Sequence, residues 1–99
     1  MLQIIWEYRV SQEYWESFEK FYGAEGDWAQ LFGRSAEFRG TTLLRDRAVA
    51  GRYLTIDSWS ERPRSSDSWK GMVRKYKMLD VQCEEWTAYE MKVGTFESL

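Results

Sequence analysis

The sequence contains no histidine, and this absence removes more chemistry than any other feature of its composition. Histidine is the usual general base near neutral pH and a frequent ligand of zinc and haem iron. Ser-His-Asp and Cys-His catalytic centres and histidine-ligated haem are therefore excluded. The chain also lacks a CxxC pair and a glycine-rich phosphate-binding loop. We expect no metal site.

The chain also has only one cysteine, no cluster of basic residues and no long apolar run. The single cysteine, Cys83, cannot form an internal disulfide, which fits a reduced cytoplasmic setting. The 14 basic and 16 acidic residues are scattered, so no basic stripe for nucleic acid is formed. Residues 1–7 have neither a basic segment nor a long apolar run, so we expect no signal peptide and no membrane span. The predicted protein is cytoplasmic, with neither nucleic acid nor membrane as a partner.

Aromatic residues, in contrast, are abundant, at 17% of the 99 residues. A domain of this length buries only about two-thirds of the surface of its unfolded chain. Either these rings pack very efficiently or a second subunit covers some of them. We therefore expect one domain over residues 1–99, with 94–99 as a tail, and a homodimer.

The hydrophobic pattern predicts the order strand, helix, strand, strand, helix, strand. Ser11 and Asp27 are candidate helix N-caps, and Gly23 and Gly33 are candidate helix ends. The predicted segments up to the third strand are a strand at 2–10, a helix at 11–23, a short helix at 27–33, and strands at 37–46 and 52–59. A further helix opens at Pro63 and 65–67, and its apolar stripe consists of Trp69, Met72, Val73, Tyr76 and Leu79. The last predicted segment is a strand at 82–93. This order fits an α+β ferredoxin-like fold, βαββαβ, with helices on one face of a four-stranded antiparallel sheet.

The strand at 52–59 has an unusual second face. Alternation places Leu54 and Ile56 on one side and Tyr53, Thr55, Asp57 and Trp59 on the other. If Arg45 lies opposite Tyr53, then Arg39, Thr41 and Leu43 share that second face. An aspartate between large aromatic rings indicates a partly enclosed surface and a ligand site. The pattern leaves open which face meets the helices and which meets a partner subunit.

Three segments carry a family resemblance: GDWAQLF at 26–32, GTTLLRD at 40–46 and RYLTIDSW at 52–59. With them, the chain from about 4 to 96 resembles antibiotic biosynthesis monooxygenase-like proteins of the dimeric α/β-barrel superfamily. The resemblance implies that two ferredoxin-like subunits press their sheets together into a barrel. It also implies a cavity between the sheet and the helices of each subunit.

The resemblance further implies an activity. Some relatives oxidise polycyclic phenols with molecular oxygen and no cofactor, because an electron-rich phenolate or carbanion can itself reduce oxygen. Haem-cleaving relatives have a histidine in the helix after the third strand, where this chain has Ser68-Trp69-Lys70-Gly71. We expect a cofactor-free monooxygenase, an oxidoreductase, acting on a small aromatic or quinol-like molecule. The alternative is a non-catalytic ligand-binding or interaction module.

Three residues are candidates for catalysis. Asp57 can accept a phenolic proton if apolar surroundings raise its pKa. Trp59 matches a strand-end tryptophan that catalytic relatives often have, and it can stack on a planar ligand. Tyr53 can donate a hydrogen bond to a substrate oxygen. Each residue also has a structural alternative. Asp57 can pair with Arg39, Arg45 or a helix N-terminus. Trp59 can occupy a position in the core, and Tyr53 a position in a dimer interface.

Substrate binding has candidates of two kinds. Arg39 can hold an anionic group of the substrate, or it is simply an exposed arginine on an edge strand. Aromatic side chains at helical spacing can form the wall of a pocket for a flat apolar ligand, or the protein core. These side chains are Trp15, Phe18, Tyr22, Trp28 and Phe32.

Overall fold

The molecule has the predicted ferredoxin-like α+β architecture. A computed structural model describes residues 1–60 and 67–99, with side chains for 1–60 and 73–99. Four strands form one antiparallel sheet in the order β2-β3-β1-β4, which places β1 in the interior. The elements are β1 (Leu2–Val10), a 3₁₀ turn (Gln12–Tyr14), α1 (Trp15–Tyr22), α2 (Asp27–Phe32), β2 (Phe38–Arg45), β3 (Arg52–Trp59), α3 (Asp67–Cys83), a second 3₁₀ turn (Glu84–Trp86) and β4 (Thr87–Glu97).

The pairing of β2 with β3 decides which residues face the helices. Arg45 lies opposite Tyr53, which is the register supposed in the sequence analysis. Tyr53 and Thr55 are buried, with 1% and 3% of their surface exposed, and Trp59 is buried on the same side. The aromatic face of β3 is therefore the face that the helices cover.

Aromatic rings form much of the core between the helices and the sheet. Phe18 of α1 is fully buried, and its ring stacks on Tyr22 at a centroid distance of 4.1 Å. The rings of Tyr8 and Tyr53 lie 5.2 and 4.8 Å from Phe18. Such tilted and offset pairs are the arrangements that aromatic quadrupoles favour. These core rings are thus buried within a single chain, without a partner subunit to cover them.

The β2–β3 connector contacts the end of β1 through the backbone of Gly51. Gly51 has φ +82°, and a Cβ atom here would come within 2.7 Å of the Val10 carbonyl oxygen. Its carbonyl accepts a hydrogen bond from the Val10 N–H at 2.8 Å. The Trp15 indole N–H donates to the Val10 carbonyl at 2.8 Å. Only glycine suits this close approach of two backbones.

The predictions for the last strand and the tail are wrong. Helix α3 continues to Cys83, and β4 runs over Thr87–Glu97 instead of 82–93. Cys83 and Trp86 are both buried at a spacing of three, which suits helical turns rather than alternation. Residues 94–97 are not a tail, because they pair with 2–5 of β1 and so satisfy their backbone hydrogen bonds.

The two proposed caps also differ from the prediction. The Ser11 side chain makes no capping hydrogen bond; its backbone carbonyl accepts from the Tyr14 N–H at 2.9 Å. Helix α2 has Gly26 as its N-cap, with Asp27 in the first turn. A Cβ at Gly26 would overlap the Phe21 carbonyl oxygen, so a side chain is not accommodated there. The helix ends at Gly23 and Gly33 are confirmed.

The predicted helix opening at Pro63 and 65–66 lies outside the described residues, as do the side chains of Trp69 and Met72. Of the remaining predicted stripe, Leu79 is buried, whereas Val73 and Tyr76 keep part of their surface exposed. Among the helices that the structure describes, none has the length and apolar character needed to cross a bilayer.

Candidate functional site

A cavity of about 60 Å³ lies between the sheet and the helices, enough for a few water molecules or a small chemical group. It is partly open to solvent, so a larger ligand would extend through its mouth. Every helix and every strand contributes to its wall. The lining residues are Trp6, Tyr8, Tyr22, Trp28, Phe32, Thr41, Thr55, Asp57, Tyr76, Asp80 and Glu90.

Asp57 and Thr41 form the polar part of the cavity floor. They are register partners on β3 and β2, and the Thr41 hydroxyl donates to Asp57 Oδ1 at 2.7 Å. Burial raises the pKa of Asp57, and the hydrogen bond from Thr41 opposes this only in part. Within the described chain Asp57 has no ion-pair partner, so neither Arg39 nor Arg45 fulfils the structural alternative. A half-buried carboxylate of this kind is suited to accept a proton.

Four aromatic rings from the three helices form the roof. Tyr22 comes from α1, Trp28 and Phe32 from α2, and Tyr76 from α3. The Trp28 ring packs edge to face against Tyr76 at 5.0 Å and lies 5.9 Å from Phe32. Three of the five predicted wall residues, Tyr22, Trp28 and Phe32, are thus brought to the cavity. A flat apolar group entering from the mouth would meet ring faces and edges.

Two further carboxylates, Asp80 of α3 and Glu90 of β4, line the cavity where their side chains are exposed to solvent. They form its rim. Partial burial and the nearby Asp80 charge raise the pKa of Glu90. Burial and the charges of Asp80, Glu90 and Asp57 together raise the pKa of the Tyr76 phenol. All three carboxylates therefore act on one point of the cavity wall.

The phenols of Tyr8 and Tyr22 keep their protons at physiological pH. Burial raises the pKa of both well above the ordinary range. A hydrogen bond with Thr55 partly offsets this for Tyr8, whereas the Tyr22 hydroxyl is hydrogen-bonded to Cys83. Tyr8 therefore contributes a neutral hydroxyl to the floor, and Tyr22 contributes mainly its ring.

Trp59 and Tyr53 share the helix-covered face with Asp57 but do not line the cavity. Trp59 is 4% exposed and packs edge to face against Phe38 at 5.0 Å and Phe32 at 5.6 Å. The Tyr53 hydroxyl donates to Glu19 Oε2 at 2.6 Å, and burial raises the pKa of Tyr53 to about 12. The predicted catalytic group is therefore not assembled; Asp57 alone reaches the cavity.

The other predicted binding residues also lie elsewhere. Phe18 is central to the core, and Trp15 is held at the β2–β3 connector. Arg39 does not share the face of Asp57, because the register shifts between Phe38 and Gly40 and leaves Phe38 opposite Trp59. The exposed Arg39 guanidinium instead donates to the carbonyls of Ala36 and Phe38 at 2.6 and 3.1 Å.

Several residues that line the cavity were not predicted as site residues, although the sequence pattern indicates the position of some of them. Trp6 and Tyr8 alternate along a strand that proves to be interior, and Glu90 is the register partner of Tyr8. Tyr76 and Asp80 are one helical turn apart. In the part of the chain that the structure describes, no group of three or more His, Cys, Asp and Glu side chains is arranged to hold a metal ion.

Solved structures share this fold, although no family model and no curated protein sequence matches the chain. A protein from Bordetella bronchiseptica assigned to the antibiotic biosynthesis monooxygenases superimposes with a TM-score of 0.72 at 17% identity, over 99% of this chain and 96% of that one. A similarly assigned protein from Nitrosomonas europaea gives 0.68 at 14% identity, over 100% and 99%. SnoaB, a cofactor-independent oxygenase from Streptomyces nogalater, gives 0.67 at 17% identity, over 99% and 92%. The predicted likeness to antibiotic biosynthesis monooxygenases is therefore confirmed for the fold.

Proposed function

We propose that this protein is a cofactor-independent monooxygenase that acts on a small electron-rich phenol or quinol held in the cavity. The observation that carries the proposal is Asp57, a half-buried carboxylate with a raised pKa on the floor of an aromatic-walled cavity. It accepts one side-chain hydrogen bond, from Thr41, and so retains capacity for a substrate proton. The shared fold with a cofactor-independent oxygenase supports the assignment.

The reaction begins when Asp57 removes a proton from the phenol or its carbon-protonated tautomer. The substrate anion passes one electron to O₂, and the resulting radical and superoxide combine to form a C–O bond. The protonated Asp57 returns its proton to the peroxide. Loss of the remaining proton on that carbon, with cleavage of the O–O bond, leaves a carbonyl group and releases water. The balance is R₂CH₂ + O₂ → R₂C=O + H₂O, with four electrons passing from carbon to oxygen.

The remaining cavity residues position the substrate and exclude water. The rings of Trp28, Phe32 and Tyr76 can stack on the reacting ring from above. The hydroxyl of Tyr8 is neutral and can donate to the oxygen on which charge develops. Since the described interior is small, a one-ring substrate fits better than a polycyclic one unless the latter extends through the mouth.

Oxygen uptake tests the proposal directly. The unaltered protein, treated with chelator, is offered single-ring quinols, naphthols and anthrone, and the expected result is one O₂ consumed per carbonyl product. Asp57→Asn should abolish most of the uptake, whereas Glu16→Gln, which alters an exposed carboxylate of α1, should not. Ligand binding without oxygen consumption would contradict the oxygenase and favour the alternative, a binding module using the same cavity.

We also propose a homodimer formed through the sheet face that the helices leave bare. This face carries half-buried Leu54 and Ile56 at its centre. Leu44, next to Leu54 on β2, and Met91, farther away on β4, each keep 44% of their surface exposed. Exposed apolar side chains on a sheet face that no helix covers are typical of protein interfaces. A second copy packing sheet to sheet would cover it and complete the barrel that the resemblance implies.

The mass in solution, from size-exclusion chromatography with light scattering, tests the dimer. The unaltered chain should have twice the 11.9 kDa monomer mass. Ile56→Lys should yield a monomer, whereas Val81→Lys, on the exposed surface of α3, should leave the mass unchanged. A monomeric mass for the unaltered chain would overturn the proposal.

A further inference from the structure

The wall of the cavity has an unusual charge balance. Among the residues that the structure describes, six aromatic rings and three carboxylates line it, and there is neither lysine nor arginine. The three carboxylates come from separate elements: Asp57 from β3, Asp80 from α3 and Glu90 from β4. The negative charge of the described cavity wall therefore comes from residues that the fold brings together, and not from one acidic stretch of the sequence.

Three other carboxylates of the described chain, Glu7, Glu19 and Asp46, have arginine partners. Arg52 binds Glu7 and Asp46 at 2.8 and 2.9 Å, and Arg45 lies 3.6 Å from Glu19. Asp57, Asp80 and Glu90 have no ion pair within the described residues. The cavity thus holds negative charge that the described protein does not neutralise, and a positively charged occupant would do so.

The aromatic roof favours an organic cation over a metal ion. Ring faces carry negative electrostatic potential and attract ammonium groups, most strongly where water is excluded. Hard metal ions instead need several converging oxygen ligands. The described carboxylates are not grouped closely enough to hold a metal. An anionic ligand would meet three carboxylates and no described counter-charge.

We propose that the cavity selects a protonated amine or quaternary ammonium group attached to a small aromatic body. The inference rests on the proposed function only in taking this cavity as the ligand site. In the preferred orientation, the cation lies between Asp80 and Glu90 at the rim, and the ring lies beneath Trp28 and Tyr76. A ring hydroxyl then faces Asp57. The substrate class becomes an aminoalkyl phenol rather than a neutral or anionic one.

Binding of three ligands with one shared skeleton tests the charge preference. Benzylamine is a cation at pH 7.5, benzyl alcohol is neutral and benzoate is an anion. Calorimetric titration of the full chain should rank them in that order, with about tenfold separating the cation from the alcohol. Equal or tighter binding of benzyl alcohol or benzoate would overturn the inference.

Variants at the rim locate the preference. Glu90→Gln, alone and combined with Asp80→Asn, should weaken benzylamine binding stepwise until it approaches that of benzyl alcohol, whose affinity should not change. Because both side chains are exposed, these amides are not expected to disturb folding. Glu16→Gln serves as the matched control. Unchanged benzylamine affinity in the double variant would contradict the assignment.

The two proposals fail separately. Oxygen uptake is not measured in these titrations, so a ranked preference for benzylamine stands even if no substrate is ever oxidised. Conversely, oxygen uptake with neutral phenols together with unranked binding would refute the charge preference alone.

Discussion

Two hydroxyl–carboxylate pairs under the helices show how one sheet face serves two purposes. Tyr53 donates to Glu19 at 2.6 Å, and Thr41 donates to Asp57 at 2.7 Å. The first pair has Arg45 beside it, 3.6 Å from the Glu19 carboxylate. The second has no described cation and opens onto a cavity. The two hydrogen bonds have nearly the same length, so the missing counter-charge and the adjacent cavity distinguish the pair that we propose to be reactive from the structural pair.

The largest expected difference between the pairs is in turnover. Asp57→Asn should lower oxygen consumption by about 10²- to 10⁴-fold, since the amide cannot accept the substrate proton. The folded state should be retained, because the uncompensated buried charge is also removed. Oxygen-electrode rates and thermal unfolding, measured side by side on the variant and on Glu16→Gln, check this. A variant with normal turnover would remove Asp57 from the reaction.

The next largest effect concerns Trp59, two residues from Asp57 on β3. Trp59→Ala should destabilise the fold by about 3–5 kcal/mol, since the ring fills the space between Phe32 and Phe38. Chemical denaturation measures this. Trp59→Phe should recover much of the stability and keep turnover, as expected of a residue that does not touch the substrate. A selective loss of turnover in Trp59→Phe would show instead that Trp59 takes part in the reaction.

Removing the hydroxyl of the structural pair should have a smaller effect. Tyr53→Phe loses one hydrogen bond to a charged acceptor, for a cost of about 1–3 kcal/mol in the free energy of unfolding. Turnover should be unaffected, because Tyr53 lies outside the cavity. The matched change Thr41→Val should instead shift the pH profile of turnover upward, since the Asp57 pKa rises further without its hydrogen bond. Identical pH profiles for the two variants would abolish the distinction between the pairs.

The smallest expected effect is in the pH dependence of stability. The Asp57 pKa is higher in the folded than in the unfolded chain, so the native state binds more protons between the two values. Its contribution to stability is present at low pH and is lost as pH rises from about 4. Glu7 and Asp46 have lowered pKa values and contribute in the opposite direction, losing stability as pH falls.

Unfolding curves at a series of pH values between 3 and 7 separate the two contributions. The stability of Asp57→Asn relative to the unaltered chain should improve as pH rises. The neighbouring phenols of Tyr8, Tyr22 and Tyr76 stay protonated over this range, and the other carboxyls at the cavity, Asp80 and Glu90, are present in both proteins. A stability difference that is flat with pH would show that Asp57 is not perturbed by burial.

Much of this site was predictable from β3 alone. The period of two in a strand fixes which residues share a face, and the opposition of Arg45 and Tyr53 then placed Thr41 beside Asp57. Alternation does not show which part of a face the helices cover. It therefore could not separate Asp57, which reaches the cavity, from Trp59, which lies behind Phe32.

The rim residues Asp80 and Glu90 could not be predicted from the alternation within one strand. Glu90 reaches the cavity only because β4 pairs with β1, and Asp80 only because α3 lies over the same region. The predicted last strand also begins too early, because its apolar residues from Trp86 onward do not show that α3 continues to Cys83. Arg39 was misplaced by a bulge, which no pattern of hydrophobicity signals.

The pairing of β1 with β4 has a consequence for how the chain folds. Strand β1 precedes the other three strands in the chain, yet one of its edges is completed by β4, the last of them; the Gln3 amide donates to Ser98 Oγ, 95 residues away. A contact of this separation carries a large loop-closure cost and favours slow folding. Until β4 docks, β1 presents an open edge to other chains. Deleting the last strand residues should therefore promote aggregation during refolding rather than a merely frayed terminus.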